Sequence, residues 1–320
     1  MRPFDAVLFV AFGGPQGAAD VRPFLENVLR GRRVSPERID EVAHHYDLFG
    51  GVSPLTELTM KQAAALEAGL RARGLDLPVH VGMRNWHPFL ADTMAKMADN
   101  DVRRAIGVLA AAQRSYSGCL QYKENVRDAR AGSVAGGHAP IDVVYVGDWH
   151  EHPGFVEANA DNIQRALARL PEDLRDEARL IFTAHSIPAA MAADYPYEAN
   201  LMASARRIAL AAGRHDWTLV YQSRSGRPGD PWLEPDICDY LRRAAAKAAV
   251  LCPVGFLCDH VEVLYDLDVE AAAVCRERGI TMARAEAVNV HPRFIDALVD
   301  AVLETYRRYD RSTPLTIGGF

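Results

Sequence analysis

Cysteine is scarce in this chain: the 320 residues hold five, at positions 119, 238, 252, 258 and 275. The count is odd and no pair has CxxC spacing, which points away from a disulfide framework and toward reduced thiols in a cytoplasmic protein. The spacing of Cys252 and Cys258 fits no zinc or iron–sulfur pattern, so buried core thiols are expected. Long apolar runs are missing as well. None approaches the ~20 residues of a membrane span, so no transmembrane segment is expected, with peripheral membrane contact left open. The first residues lack the order of charge, apolar run and cleavage site that marks a signal peptide. Positive charge is not in excess: 36 Lys and Arg stand against 42 Asp and Glu, for a net charge of −6. That balance argues against a nucleic-acid partner. No complete GxGxxG or GxxxxGK[ST] follows an apolar run, so nucleotide binding is not expected, and the lack of GxSxG argues against a serine hydrolase.

What the chain does contain is enough apolar residue (49%) and charge (24%) for a soluble protein with a sizeable core. Apolar runs predict strands at Ala6–Phe12, Val79–Met83, Ala105–Ala111, Val143–Val146, Arg179–Ala184, Trp217–Gln222, Ala248–Cys252 and Ile280–Met282. Helical patterns lie between them, and Pro292–Tyr309 reads as a last helix. This alternation implies an α/β protein of βαβ units with parallel sheets, in two doubly wound, Rossmann-like domains facing across a cleft. The Gly-rich stretch Gly132–Ala139 reads as the linker. The expected domains are residues 1–138 and 139–291, with the helix at 292–309 packing back on the first. A monomer is expected.

Ligands of open α/β sheets sit beyond the carboxyl ends of the strands. That rule selects Phe12-Gly13-Gly14, Arg84-Asn85-Trp86, Gln113–Gly118, His185-Ser186, Gln222–Arg227 and Asp259–Glu262 as loops around one cleft. His185, at a strand end, reads as a base, a metal ligand or a helix cap. Glu262, Asp266 and Glu270 are spaced by four, so a helix stacks them on one face. No Lys or Arg lies between residues 250 and 275 to relieve them. The line is either a solvated acidic face or a track for a cation. The basic stretch Leu29-Arg30-Gly31-Arg32-Arg33 is either a solvated loop or a site for carboxylates or phosphates.

Several segments together resemble ferrochelatases. They are Phe12-Gly13-Gly14-Pro15, Gly50-Gly51-Val52-Ser53-Pro54-Leu55, Thr183-Ala184-His185-Ser186-Ile187-Pro188, Gln222-Ser223-Arg224, Asp230-Pro231-Trp232-Leu233 and Gly255-Phe256 through Asp259-His260-Val261-Glu262. They occur in that family's order and span nearly the whole chain. The resemblance implies a chelatase-like fold and a lyase of haem biosynthesis that inserts Fe²⁺, its substrate, into a porphyrin. The short form is similar to the bacterial soluble enzymes that use coproporphyrin III, with protoporphyrin IX as the other substrate to consider. It further implies His185 and Glu262 as the catalytic and metal-contacting pair, and an outer divalent-metal site at Asp266 and Glu270. Porphyrin contacts are expected at Phe12, Arg30, Arg32, Ser53, Tyr116, Ser117 and Tyr122. Neutral His185 is the expected proton acceptor, and His260 a neighbour rather than a ligand. The sequence departs from the family at His45, where an Arg is common, at Phe12, where some members have Tyr, and at Gln113-Arg114, which replaces Pro-His. It ends at Phe320 without a cysteine-bearing extension, and no iron–sulfur cluster is expected. The competing readings are a cobalt or nickel tetrapyrrole chelatase and a non-catalytic haem or porphyrin carrier.

Overall fold

The run Ala6–Ala11 forms strand β1 with all six residues buried, as a strand covered on both faces requires. In the computed structural model, which describes residues 2–31, 35–225 and 229–310, it pairs in parallel with β2 (Val79–Met83) and β3 (Arg104–Leu109). The edge strand β4 (Asp142–Tyr145) completes a sheet of order β2-β1-β3-β4. The second sheet is built from β5 (Arg179–His185), β6 (Trp217–Gln222), β7 (Ala248–Cys252) and β8 (Thr281–Arg284). Its order, β6-β5-β7-β8, repeats that of the first, and all its pairings are parallel. The two α/β halves are therefore alike in topology, as the alternating pattern predicts.

The stretch Gly132–Ala139, expected as the linker, does not separate the two sheets. The helix Gln121–Ala135 takes up its first four residues, because Tyr122, Val126, Ala129 and Ser133 form one buried face that continues through them. Packing of that face outweighs the cost of about 1 kcal/mol that a helical glycine carries. The chain then returns to the first sheet, where Asp142 and Tyr145 sit opposite Arg104 and Gly107. The first sheet thus extends beyond the expected boundary at residue 138.

The halves share apolar surface. Phe4, just before β1, joins Phe9 and Phe182 of the two sheets and Phe155 and Phe294 of the helices Pro153–Ala168 and Pro292–Tyr309, all fully buried in one continuous core. Pro292–Tyr309 packs on Pro153–Ala168 and also on Pro54–Ala72, which belongs to the first half. Gly154 permits that crossing, since a Cβ there would lie 2.2 Å from the carbonyl oxygen of Arg293. Gln62, fully buried on Pro54–Ala72, reaches into the second half. Its Nε2 donates to the carbonyl oxygens of Leu257 (3.2 Å) and Asn289 (2.7 Å). A buried amide bonded in this way specifies one geometry, because any shift strands polar groups away from water. Among the described residues no helix is long and apolar enough to cross a membrane.

Candidate active site

Order β6-β5-β7-β8 makes the chain reverse direction across the sheet between β5 and β7, which is where such sheets open a crevice. His185 is the last residue of β5. The turn after β7 rests directly on β5: the backbone N–H of Gly255 donates to the Thr183 carbonyl at 3.1 Å. A Cβ at Gly255 would fall 2.6 Å from that of Ala184, so a side chain is excluded there. This close approach brings the segment carrying Glu262 alongside His185. The His185 Nε2 lies 3.2 Å from Glu262 Oε1.

The other ring nitrogen fixes the tautomer. Nδ1 of His185 faces the carbonyl oxygen of Ser186, which can only accept, so Nδ1 carries a hydrogen. Tyr197 donates its hydroxyl to the carbonyl of His185 at 3.1 Å. Both partners of the pair keep contact with the cleft, at 35% and 41% side-chain exposure. Desolvation opposes a charge on His185, but Glu262 more than offsets it, and the imidazole pKa is raised to about 9. Glu262 feels the same burial, yet the His185 charge and hydrogen bond hold its carboxyl well below the usual range. With no metal between them the two favour an imidazolium beside a carboxylate. A neutral His185, as a proton acceptor requires, then arises when something else engages Glu262.

The acidic line is not a uniform face. Val261–Val263 begins a helix that widens into a π-helix over Leu264–Ala271 and returns to α at Ala272–Arg278. Asp266 is buried, whereas Glu270 is exposed. Asp266 Oδ2 accepts from Gln222 Nε2 at 3.2 Å and from the Ser223 hydroxyl. Ser223, its hydroxyl committed to Asp266, is near enough to Glu262 to help hold that carboxyl low. It is held there with φ at +62°, in the left-handed region. Burial and then the Glu262 charge raise the Asp266 pKa to about 7. Asp266 and Glu270 line a cavity of about 420 Å³ together with Asp236, Cys238, Arg242 and Glu277. Neither His185 nor Glu262 lines it, so inner pair and outer acids address different spaces. Among the described residues, no group of three or more His, Cys, Asp or Glu is preassembled around a cation.

Asp266 carries a prediction for stability. A carboxyl whose pKa is higher in the folded state contributes stability below its unfolded pKa and loses it as pH rises through the folded value. Asp266→Asn removes the charge, and its amide can still donate to the buried, unpartnered Oε1 of Gln222. Urea unfolding is expected to show the variant gaining on the wild type by on the order of a few kcal/mol between pH 5 and pH 8. A gap between the two proteins that does not grow with pH would contradict the assignment.

The remaining expected contacts divide. Phe12 is half-buried at the lip of the first sheet, edge-on to Phe24 at 6.2 Å and beneath the Arg84 guanidinium. Tyr116 lies in the turn Tyr116–Leu120, its hydroxyl donating to Glu124 at 3.1 Å, and the Ser117 hydroxyl is 3.4 Å from that of Ser115. Arg30 is exposed and bonds to Asn27. Arg32, Arg33 and Arg227 lie outside the described residues. Two expectations need correction. Tyr122 is 5% exposed and belongs to the first-half core, because it starts the buried face of its helix. Ser53 is 4% exposed, caps the helix Pro54–Ala72 through the N–H of Leu55, and packs against Gly14. Its side chain is thus committed to the helix cap and to packing on Gly14. His260 is edge-on to Phe256, and burial lowers its pKa.

Sequence reasoning missed Ser223 as a partner of Asp266 and Tyr197 behind His185. Ser223 stood in a strand-end loop that the ligand rule had selected, but a left-handed serine leaves no local signature. It also missed how the first half closes on the line. His45 stacks on Tyr265 with ring centroids 3.6 Å apart, so the helix Pro36–Asp47 covers the π-helix from across the cleft.

Known proteins match this arrangement. The family model described as Ferrochelatase matches residues 4–306. A ferrochelatase of Rhodopirellula baltica is 46% identical over 94% of this chain and 86% of its own length. A coproporphyrin III ferrochelatase of Mycolicibacterium smegmatis is 48% identical over 94% and 89%. One of Streptomyces coelicolor is 44% identical over 99% and 90%. Among solved structures, SirB from Bacillus subtilis with Fe³⁺ superimposes with a TM-score of 0.58 at 11% identity, covering 96% of each chain. The chelatase-like DR2241 of Deinococcus radiodurans gives 0.51 at 15% identity, over 92% of this chain and 55% of its own. At such identities these two speak for the fold alone, which is that of chelatases. With a family match over nearly its whole length and relatives close to half identical, the chain belongs to the ferrochelatase family.

Proposed function

We propose that the protein inserts ferrous iron into coproporphyrin III as a step of haem biosynthesis, with His185 and Glu262 as the reacting pair. The observation that carries this reading is the 3.2 Å contact between His185 Nε2 and Glu262 at the crevice of the second sheet. A free-base porphyrin holds two pyrrole protons, and insertion must remove both while presenting Fe²⁺ to the ring nitrogens. A carboxylate and an imidazole suit ferrous iron and proton transfer respectively. As Fe²⁺ engages the Glu262 carboxylate, it takes over the charge that held the imidazolium. The His185 proton is displaced as the metal approaches and passes toward Asp266, whose raised pKa suits it to receive one near neutral pH. The cavity bordered by Asp266 and Glu270 opens that route outward and is the proposed outer site for a second divalent cation. Nε2, now neutral, accepts one pyrrole proton, releases it to the open cleft and then accepts the second. The half-buried rings of Phe12 and Tyr46, backed by the buried Phe24 and Trp86, supply an apolar wall for a flat ring.

Coproporphyrin III is favoured because the relatives carrying that name match this chain at up to 48% identity over nearly their full length. The test is an absorbance assay of metal insertion with coproporphyrin III and protoporphyrin IX, each offered Fe²⁺, Co²⁺ and Ni²⁺ under anaerobic conditions. Fe²⁺ with coproporphyrin III is expected to give the highest kcat/KM. A preference for protoporphyrin IX would reassign the substrate. Porphyrin binding without turnover for any metal would make the protein a carrier.

A further inference from the structure

Arg284 ends β8 on the side of the site away from His185, and its side chain is only 13% exposed. Nη1 bonds Asp259 Oδ1 at 2.7 Å, and Nε contacts both oxygens of Asp268, at 2.8 and 3.0 Å. Asp259 directly precedes the helix that carries Glu262, and Asp268 lies on the π-helix two residues beyond Asp266. One guanidinium thus ties down both ends of the segment that presents Glu262 and Asp266. The tie is anchored in turn. Asp259 also accepts from the backbone N–H of Ala287 at 3.1 Å and from Asn289 Nδ2 at 2.8 Å. Asn289 Oδ1 accepts from the backbone N–H of Asp259 at 2.9 Å, and its carbonyl takes the Gln62 amide from the other half.

We infer that Arg284 is a positioning residue for metal insertion: through Asp259 and Asp268 it holds the span from 259 to 268 so that Glu262 meets His185. Stability alone gives a poor account of the arrangement, because a largely buried ion pair gains little over an apolar replacement. A planar fork that reaches two carboxylates on either side of the acidic residues has a geometric use that an ammonium cannot reproduce. The π-helix makes such a tie useful. Its i→i+5 bonding departs from the usual helical repeat, so the direction of each acid depends on where the turn is clamped.

This inference rests on Glu262 being the residue that contacts the metal. Its test uses Asp268→Asn, Asp268→Glu and Arg284→Lys in the full chain, with KM for Fe²⁺, KM for porphyrin, kcat and the thermal midpoint measured for each. Asp268 is 38% exposed, so its substitution should leave the protein folded. Asp268→Asn and Arg284→Lys are expected to raise KM for Fe²⁺, or lower kcat, by about tenfold or more, as loss of a partner that orients a metal ligand does. KM for porphyrin should stay within twofold of the wild type, by about that margin, and Asp268→Glu should recover most of the loss. Unchanged kinetics in both disabling variants, or equal changes in the two KM values, would overturn the inference and leave Arg284 a structural ion pair. Glu262→Gln, measured alongside, separates the two ideas: normal turnover in that variant defeats the site assignment itself.

Discussion

His185→Ala is expected to abolish iron insertion, lowering kcat by about 10²- to 10⁴-fold, the range that loss of a positioned acid or base produces. Porphyrin binding, followed by fluorescence, should survive. The reason lies in how the residue is held. The backbone of His185 is fixed by β5–β6 pairing, which continues into Ser186, whose N–H donates to the Gln222 carbonyl at 2.7 Å. Tyr197 supports the same peptide at its carbonyl. None of these bonds uses the imidazole, so alanine leaves the strand end and the apolar lip of the first half in place. What disappears is the one imidazole nitrogen that faces Glu262, while the other is committed to Ser186. The residual porphyrin affinity makes the experiment decisive. Near-normal turnover would show that the proton acceptor is another group, and joint loss of binding and turnover would show that His185 shapes the ring site instead.

How much of this could be read before the structure varies with the range of the interaction. The strands were legible because apolar residues dominate each short run: Val79–Met83, Trp217–Gln222 and Ala248–Cys252 coincide with their predicted limits. His185 and Glu262 were legible as a strand-end histidine and the head of an acidic line, and the family resemblance joined them. The π-helix was not, because acids spaced by four and apolar residues between them look alike whether a turn closes at i+4 or i+5. Tyr122 illustrates a different limit. A tyrosine after a strand-end loop reads equally as a ligand wall or as core, and only the buried face it shares with Val126 and Ala129 decides. Gly132–Ala139 reads as a linker by composition, yet tertiary packing carries the helix into it and β4 back to the first sheet. Gln62, Ser223 and Arg284 act through partners up to 227 residues away in sequence, as Gln62 and Asn289 are. No local pattern encodes such contacts, and they are what convert a line of acids into a directed site.

Glu262→Gln separates charge from shape. The replacement is isosteric and can still hydrogen-bond His185 Nε2, its amide donating once the ring is neutral, so the cleft should keep its outline. Its neutral carboxamide is a poor ligand for ferrous iron compared with a carboxylate, and it no longer holds the imidazolium. Turnover is expected to fall by about 10²-fold, with KM for Fe²⁺ rising and porphyrin affinity unchanged. The pH behaviour provides an independent reading. In the wild type, the raised pKa of His185 contributes stability that is complete below its unfolded value and fades as pH rises through about 9. The lowered pKa of Glu262 contributes stability present above its unfolded value and lost as pH falls toward the folded one. The pair therefore stabilises the fold most between those limits. Glutamine removes the Glu262 limb outright and lets the His185 pKa drop toward that of an ordinary buried imidazole. An NMR titration of the His185 ring should register that drop, and the dependence of stability on pH should flatten on both sides of neutrality. A variant with full activity and an unmoved imidazole pKa would mean that another carboxylate is the histidine's working partner, and Asp266, whose charge also acts on the ring, is the first place to look.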